Sequence, residues 1–311
     1  MIATIALSLA LAAPGISDAP SLRPLRLPMP PIKSFPAPAP PLIDAAAWMI
    51  WSERDRAELG SLDPDTPRPF ASITKLMTAM VVLDGGQPLD EWLPIVKRKR
   101  THGKNAYSRL RIGSEATRAS LLRLTLMSSE NLAACSLAHH YPGGVESFVK
   151  AMNAKAAELG MQDSRFDGPS GLSTGNRSTA ADLLKMVRAA HGYEEIREDS
   201  TTYRYTAAFR KPKHSMAYGN TNPLTASSRW DVWLSKTGYL DEAGRCLVMV
   251  AEIEEQPIVM VLLNSFGTRT PLGDAGRVRR WLQTGFGGKV ANPALEYEKR
   301  VVAGQLADDG S

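Results

Sequence analysis

Apolar runs of strand length stand near both ends of this chain, and the strongly helical sequence lies between them. Near the start, Ala45-Ala46-Ala47-Trp48-Met49-Ile50-Trp51 reads as a buried strand, and a polar turn over 54–58 leads into a weaker partner strand. Near the end, residues 232–235, 246–253 and 258–263 form three more strand-like runs. The last two are joined by the Glu254-Glu255-Gln256-Pro257 turn, which suits an antiparallel hairpin. Between them, 71–83 is almost wholly apolar, entered through Pro67 and Pro69 and stopped at Gly85-Gly86, the pattern of a buried helix. Helical apolar spacing continues through 114–140 and 145–159, and a last helix over 274–282 can cover the sheet. With no internal repeat, the expected fold is α+β. One antiparallel sheet is built from both ends of the chain and covered by helices, and a mainly helical subdomain is inserted within it.

At 311 residues, 43% hydrophobic and 22% charged, the chain can bury an enzyme-sized core, and neither disorder nor a multi-span membrane protein suits it. The net charge of +5 is spread along the chain, which favours anionic surroundings such as envelope polymers. The dense run Lys97-Arg98-Lys99-Arg100 is expected to be a solvated loop, and without aromatic stacking residues it excludes nucleic acid as a partner. Cys135 and Cys246 sit in apolar runs and are expected to be buried free thiols. His139 and His140 are adjacent and point to different helix faces, so no zinc site and no cofactor is expected.

Residues 2–13 are apolar, too short to cross a bilayer and suited to a secretory signal, here bounded at 1–19. Residues 20–41 hold nine prolines and read as a linker. As polyproline II it would reach ~70 Å, which leaves peripheral or signal-tethered membrane association open. The expected organisation is therefore signal 1–19, linker 20–42, a main domain 43–288 (43–90 and 215–288 α/β, 91–214 mainly helical) and a polar tail 289–311.

Ser72-Ile73-Thr74-Lys75 puts a hydroxyl and an amine three residues apart, on one face of a helix, as a nucleophile beside its base. The spacing alone is weak evidence, because Ser147-Phe148-Val149-Lys150 repeats it. Ser72 differs in its company: Ser129-Glu130-Asn131 and then Lys236-Thr237-Gly238 follow in order, each once in the chain. Such a Ser-x-x-Lys, Ser-x-Asn and Lys-Thr-Gly set occurs in penicillin-interacting serine enzymes.

Over 45–286 the chain resembles the low-molecular-mass penicillin-binding proteins, above all the type-7 D-alanyl-D-alanine endopeptidases. Further support comes from Met77-Thr78-Ala79, Leu126-Met127-Ser128, Tyr141-Pro142-Gly143-Gly144, Pro169-Ser170-Gly171-Leu172 and Asn220-Thr221-Asn222. The resemblance implies the β-lactamase/DD-peptidase fold and a serine peptidase acting on D-alanyl bonds of peptidoglycan peptide stems in the periplasm, with β-lactams as covalent inhibitors.

It also implies roles. Ser72 attacks the carbonyl, and Lys75, kept neutral by nearby Lys236, takes its proton. Ser129 passes a proton to the leaving amine, and Asn131 holds the substrate backbone. Lys236 and Thr237 hold the carboxylate side, Gly238 leaves room for a peptide along the strand edge, and the Ser72 and Tyr239 amides form the oxyanion hole. Pro169-Ser170-Gly171-Leu172 and Asn220-Thr221-Asn222 are expected to shape turns, and Glu130 to tune substrate choice.

Among alternatives, a β-lactamase of class A needs a Glu-x-x-Leu-Asn segment for deacylation, which this sequence lacks. A carboxypeptidase is second choice, since only about 25 residues follow Phe286, too few for the β-rich domain many of them carry. An inactive wall-binding scaffold comes last.

Overall fold

The computed structural model describes residues 40–96, 108–290 and 292–302. The signal segment, the linker up to residue 39 and the Lys97-Arg98-Lys99-Arg100 run lie outside the described residues.

The chain enters through strands β1 (Ala45–Ser52), β2 (Ala57–Leu62) and the short β3 (Arg68–Pro69). A 3-10 turn over Ala71–Ile73 leads straight into α1 (Thr74–Asp84). The insertion holds β4 (Trp92–Pro94), β5 (Glu115–Thr117), α2 (Arg118–Met127), α3 (Asn131–His139), α4 (Gly144–Glu158) and β6 (Arg177–Ser178). It continues through α5 (Ala180–His191), α6 (Glu194–Thr201) and a hairpin of β7 (Arg204–Phe209) and β8 (His214–Gly219). The chain then returns through β9 (Asp231–Leu240), β10 (Gly244–Ile253), β11 (Gln256–Ser265), α7 (Thr270–Thr284) and α8 (Asn292–Val302).

The main sheet has the order β2-β1-β11-β10-β9, with β1 antiparallel to β11, so strands from both ends share one sheet as their apolar pattern requires. Alternation along β10 splits the core in two. Cys246, Val248 and Val250 face a large core with α1 to α5, whereas Leu247, Met249 and Ala251 face a smaller one with Val278 and Trp281 of α7. Strand β9 is the sheet edge, and its polar end was expected to stop at residue 235. It runs on to Leu240 because Lys236, Thr237, Gly238 and Tyr239 keep pairing with β10 although their side chains serve no apolar core.

Two further differences have simple physical causes. The segment 114–140 is two helices, broken at Ser128-Ser129-Glu130, where Ser129 adopts φ +58°. Inside the stretch expected to be a polar tail, α8 packs on β1 through a narrow apolar stripe, and the Tyr297 hydroxyl donates to Asn264 Oδ1 at 2.6 Å. Cys246 is a buried free thiol, whereas Cys135, expected to be buried, is only half-buried.

Candidate active site

Three elements meet where β9 leaves the sheet edge exposed. The turn before α1 carries Ser72, the break between α2 and α3 carries Ser129 and Asn131, and β9 carries Lys236, Thr237, Gly238 and Tyr239. Ser72, Ser129, Asn131, Thr237, Gly238 and Tyr239 line one cleft of about 360 Å³.

Two of the three are bent in a way that local backbone preference discourages. Ala71, just before the nucleophile, has φ +48°, in the left-handed region that costs a non-glycine residue ~1 kcal/mol or more. The Thr74 hydroxyl holds the bend by donating to Ala71 O at 2.7 Å, and Asn176 Nδ2 in turn donates to Thr74 Oγ1 at 2.9 Å. At the end of α2, the left-handed Ser129 lets Glu130 N reach back to Leu124 O at 3.0 Å, a reverse closure that caps the helix and turns Ser129 into the cleft. Thr221 N donates to Met127 O at 2.9 Å and ties the same break to the segment before β9.

Lys75, fully buried on α1, is the centre of the site. Its Nζ lies 2.7 Å from Ser72 Oγ, 2.9 Å from Asn131 Oδ1 and 2.5 Å from Ser170 O. The last two are carbonyl oxygens and can only accept. The amine donates to both carbonyls, and the 2.7 Å contact places Ser72 Oγ where a neutral form of the amine would accept the hydroxyl proton.

Lys236, only 1% exposed, donates to Ser129 Oγ at 2.9 Å and to Thr237 O at 2.8 Å. Burial first, and repulsion from Lys75 second, hold its ammonium well below the usual lysine range. Repulsion between two amines is mutual, so this buried pair sheds a proton more readily than isolated lysines do.

Gly238 has a different local task from the one expected. A Cβ there would stand 3.0 Å from Phe70 O and 3.2 Å from Ser72 N, so the space is filled by the nucleophile turn, which the bare backbone of β9 brings into contact with the sheet edge. That contact sets the Ser72 amide beside the strand on which Tyr239 follows.

The repeat of the spacing at Ser147 and Lys150 comes to nothing: it lies on α4, and Lys150 is exposed and paired with Glu146 at 2.8 Å. Glu130, expected to tune substrate choice, accepts from Ser108 Oγ at 2.8 Å and Arg109 N at 3.1 Å, and so ties residues 108–109 to the break between α2 and α3. Asn220 and Asn222 are turn residues: Asn220 donates to Ser200 O and Thr202 O at 2.9 Å, and Asn222 donates to Ser235 Oγ at 2.7 Å.

Three participants were not foreseen. Ser170 contributes only its backbone carbonyl. Asn176, 1% exposed, binds Asp167 N and Gly168 O and locks that loop. Thr221 sits 2.7 Å from Thr237, hydroxyl to hydroxyl, and lines the cleft. The turn asparagines on either side of Thr221 were a usable signal, because they hold its backbone rigidly; the carbonyl of Ser170 left none.

A serine with a buried amine base, a second serine and a second amine, set at the exposed edge of an antiparallel sheet, defines the class: a serine acyl-transfer enzyme. Comparison with known proteins narrows it. Residues 35–267 match the D-alanyl-D-alanine carboxypeptidase family, and the chain belongs to that family. It is 46% identical over 270 residues to the D-alanyl-D-alanine endopeptidase of Escherichia coli, covering 87% of each chain. To the D-alanyl-D-alanine endopeptidase of Pseudomonas aeruginosa it is 50% identical over 227 residues, covering 73% of each. Among solved structures, a Streptomyces DD-transpeptidase superposes with a TM-score of 0.71 at 28% identity, over 78% of this chain and 98% of that one. Penicillin-binding protein D2 of Listeria monocytogenes in its cefotaxime-bound form gives 0.68 at 25% identity over the same shares.

Proposed function

We propose that this chain is an exported serine DD-peptidase that cleaves D-alanyl bonds in peptidoglycan, preferring cross-links to terminal D-alanine, and that it works in the periplasm. The observation that carries the reading is the 2.7 Å contact between the buried Lys75 Nζ and Ser72 Oγ, along which a neutral amine takes the hydroxyl proton. The Ser72 proton passes to Lys75 Nζ as Oγ bonds to the D-alanyl carbonyl carbon. The carbonyl oxygen, now negative, is held by the Ser72 and Tyr239 amides, donors of a kind worth roughly 3 to 4 kcal/mol each.

Collapse breaks the carbon–nitrogen bond. The departing nitrogen takes a proton from the Ser129 hydroxyl, which Lys236 replenishes through the 2.9 Å hydrogen bond between them. Water then attacks the ester carbonyl and gives a proton through Ser129 to Lys236, while Lys75 returns its proton to Ser72 Oγ as the carbon–oxygen bond breaks. Asn131 and the edge of β9 hold the peptide, and Thr237 takes the carboxylate beyond the scissile bond. The preference for cross-links is supported by the two relatives named D-alanyl-D-alanine endopeptidase.

Ser72→Ala is expected to abolish labelling by a fluorescent penicillin with the thermal melt unchanged; retained labelling would remove Ser72 as nucleophile. Purified protein incubated with cross-linked muropeptide dimers is expected to release monomers. Release of terminal D-alanine without monomers would make it a carboxypeptidase.

A further inference from the structure

Basic side chains gather on the inserted part of the chain, away from the reacting serine, at the turn that joins β7 to β8. Arg210, Lys211 and Lys213 stand exposed there, and Arg111 is exposed in the turn that leads into β5. The corner is rigid. Arg210 and Glu115 exchange backbone hydrogen bonds of 2.9 and 3.0 Å, which fasten the hairpin to β5. The Arg210 guanidinium lies over the Trp92 ring, 4.5 Å from its centroid, and the Phe209 and His214 rings stack at 4.7 Å across the base of the turn. Glu115 is the one carboxylate paired with any of these four cations among the described residues, and it is shared: Lys211 donates to one oxygen at 2.7 Å and Arg210 to the other. Glu91, beside Trp92, is taken by the buried Arg118.

Strand β8 connects this corner to the cleft. Its six residues span ~20 Å, and the chain continues through Asn220 to Thr221, which lines the cleft. Arg109 lies along the way: its guanidinium covers the Tyr218 ring at 4.3 Å and donates to Ala217 O at 2.9 Å. The carboxylate of Glu130 takes Ser108 Oγ and the Arg109 backbone amide, so the guanidinium itself stays an exposed, unpaired cation among the described residues. The cations thus form a track beside β8 that ends at the cleft. Like charges held this close repel one another, and a partner bearing anions at intervals relieves the repulsion.

We infer that this track docks the peptidoglycan around the bond to be cut, a polymer whose peptide stems carry free carboxylates. Carboxylates recur from stem to stem, so a strand lying along β8 meets Arg109 and then the corner cations while one stem enters the cleft. Guanidinium groups already held over Trp92 and Tyr218 bind carboxylates with little further ordering. Ile112, beside Arg111, is the large apolar side chain exposed at this corner among the described residues, too little apolar surface to bury in lipid, which favours a wall polymer over a membrane. The choice of polymer rests on the peptidase reading above. The surface adds a hold on intact wall that a soluble fragment cannot use.

Binding is measured without cleavage, by sedimenting the full-chain Ser72→Ala protein with purified insoluble peptidoglycan at about 0.05 M and about 0.5 M salt. The protein is expected to sediment with the wall at low salt, to be released at high salt, and to ignore wall whose carboxylates have been amidated. Adding Arg111→Glu, Lys211→Glu and Lys213→Glu is expected to weaken binding by about 10-fold or more. Glutamine at the same three positions is expected to weaken it by a smaller factor, and serves if the reversed charges unfold the chain. With Ser72 restored, the three glutamine substitutions are expected to leave fluorescent-penicillin labelling and cleavage of soluble muropeptide dimers at wild-type rates, and to slow cleavage of insoluble peptidoglycan. Undiminished binding in a folded variant would overturn the surface. So would undiminished binding to amidated wall, or stronger sedimentation with phosphatidylglycerol vesicles than with wall. Salt-sensitive wall binding in a wild-type chain that cleaves neither dimers nor wall would overturn the peptidase reading and leave the surface standing.

Discussion

Replacing Gly171 with alanine should damage the enzyme twice, once in its stability and once in its chemistry, through a residue that touches no substrate. Gly171 has φ +76°, a conformation that costs an alanine ~1 kcal/mol. A Cβ placed there would stand 2.0 Å from Ala71 O, 2.5 Å from Ala71 C and 2.9 Å from Thr74 Oγ1, which are backbone and hydrogen-bonded atoms that cannot swing away. Overpacking of this kind costs roughly 1 to 3 kcal/mol more once the loop shifts to relieve it. The sum, about 2 to 4 kcal/mol, corresponds to a fall of roughly 4 to 16 °C in Tm for a domain of this size. The shift moves the Ser170 carbonyl off Lys75, leaving the amine free to turn its lone pair from Ser72, so benzylpenicillin acylation should slow by at least 10-fold. Gly168, in the same loop, is the internal control: a Cβ there meets nothing within 4 Å. Gly168→Ala should therefore melt and acylate like the wild type. Differential scanning fluorimetry and intact-mass acylation kinetics measure both effects. A Gly171→Ala protein indistinguishable from Gly168→Ala in melting and acylation would refute the claim that this loop clamps the nucleophile turn.

Other expectations follow from charges and hydrogen bonds. In Lys236→Gln the like charge that disfavours protonation of the buried amine pair is gone, so the acidic limb of the kcat/KM profile should move up by roughly one pH unit; an unmoved limb would break the link between Lys236 and Lys75. His191 is held at about 4 by burial and then by Arg197, against an ordinary 6.5, so the unfolded chain takes its proton first. Stability from this group is full above pH 6.5 and is lost as pH falls towards 4, about 3 kcal/mol over that window. Melting curves of His191→Gln should decline less steeply with acid than those of the wild type. Glu130→Ala strands Ser108 and the Arg109 amide, so Tm should fall by an amount equivalent to ~1 to 3 kcal/mol while penicillin still labels Ser72. Lost labelling in a folded Glu130→Ala protein would restore Glu130 to the site.

Side-chain chemistry with a rigid requirement leaves a trace in sequence, and backbone chemistry does not. Ser72, Lys75, Ser129, Asn131, Lys236 and Thr237 could be named from residue types in order, because few side chains offer a hydroxyl or an amine in those places. The strands could be named because β1, β10 and β11 are buried on both faces and therefore read as unbroken apolar runs. Ser170 defeats such reading, since every residue has a carbonyl and only the fold determines which one reaches Lys75. The left-handed Ala71 and Ser129 defeat it more thoroughly, because local preference argues against both conformations. They persist because surrounding contacts over-determine them. Ala71 is held between Thr74 and the Gly171 loop, and Ser129 is fixed by the Glu130 to Leu124 closure and by the Thr221 amide. The two residues whose backbones are least favourable are thus the one preceding the nucleophile and the proton-passing serine itself. Positions where local rules fail are the ones the rest of the chain is organised to hold, and here they mark the active site as clearly as the motifs do.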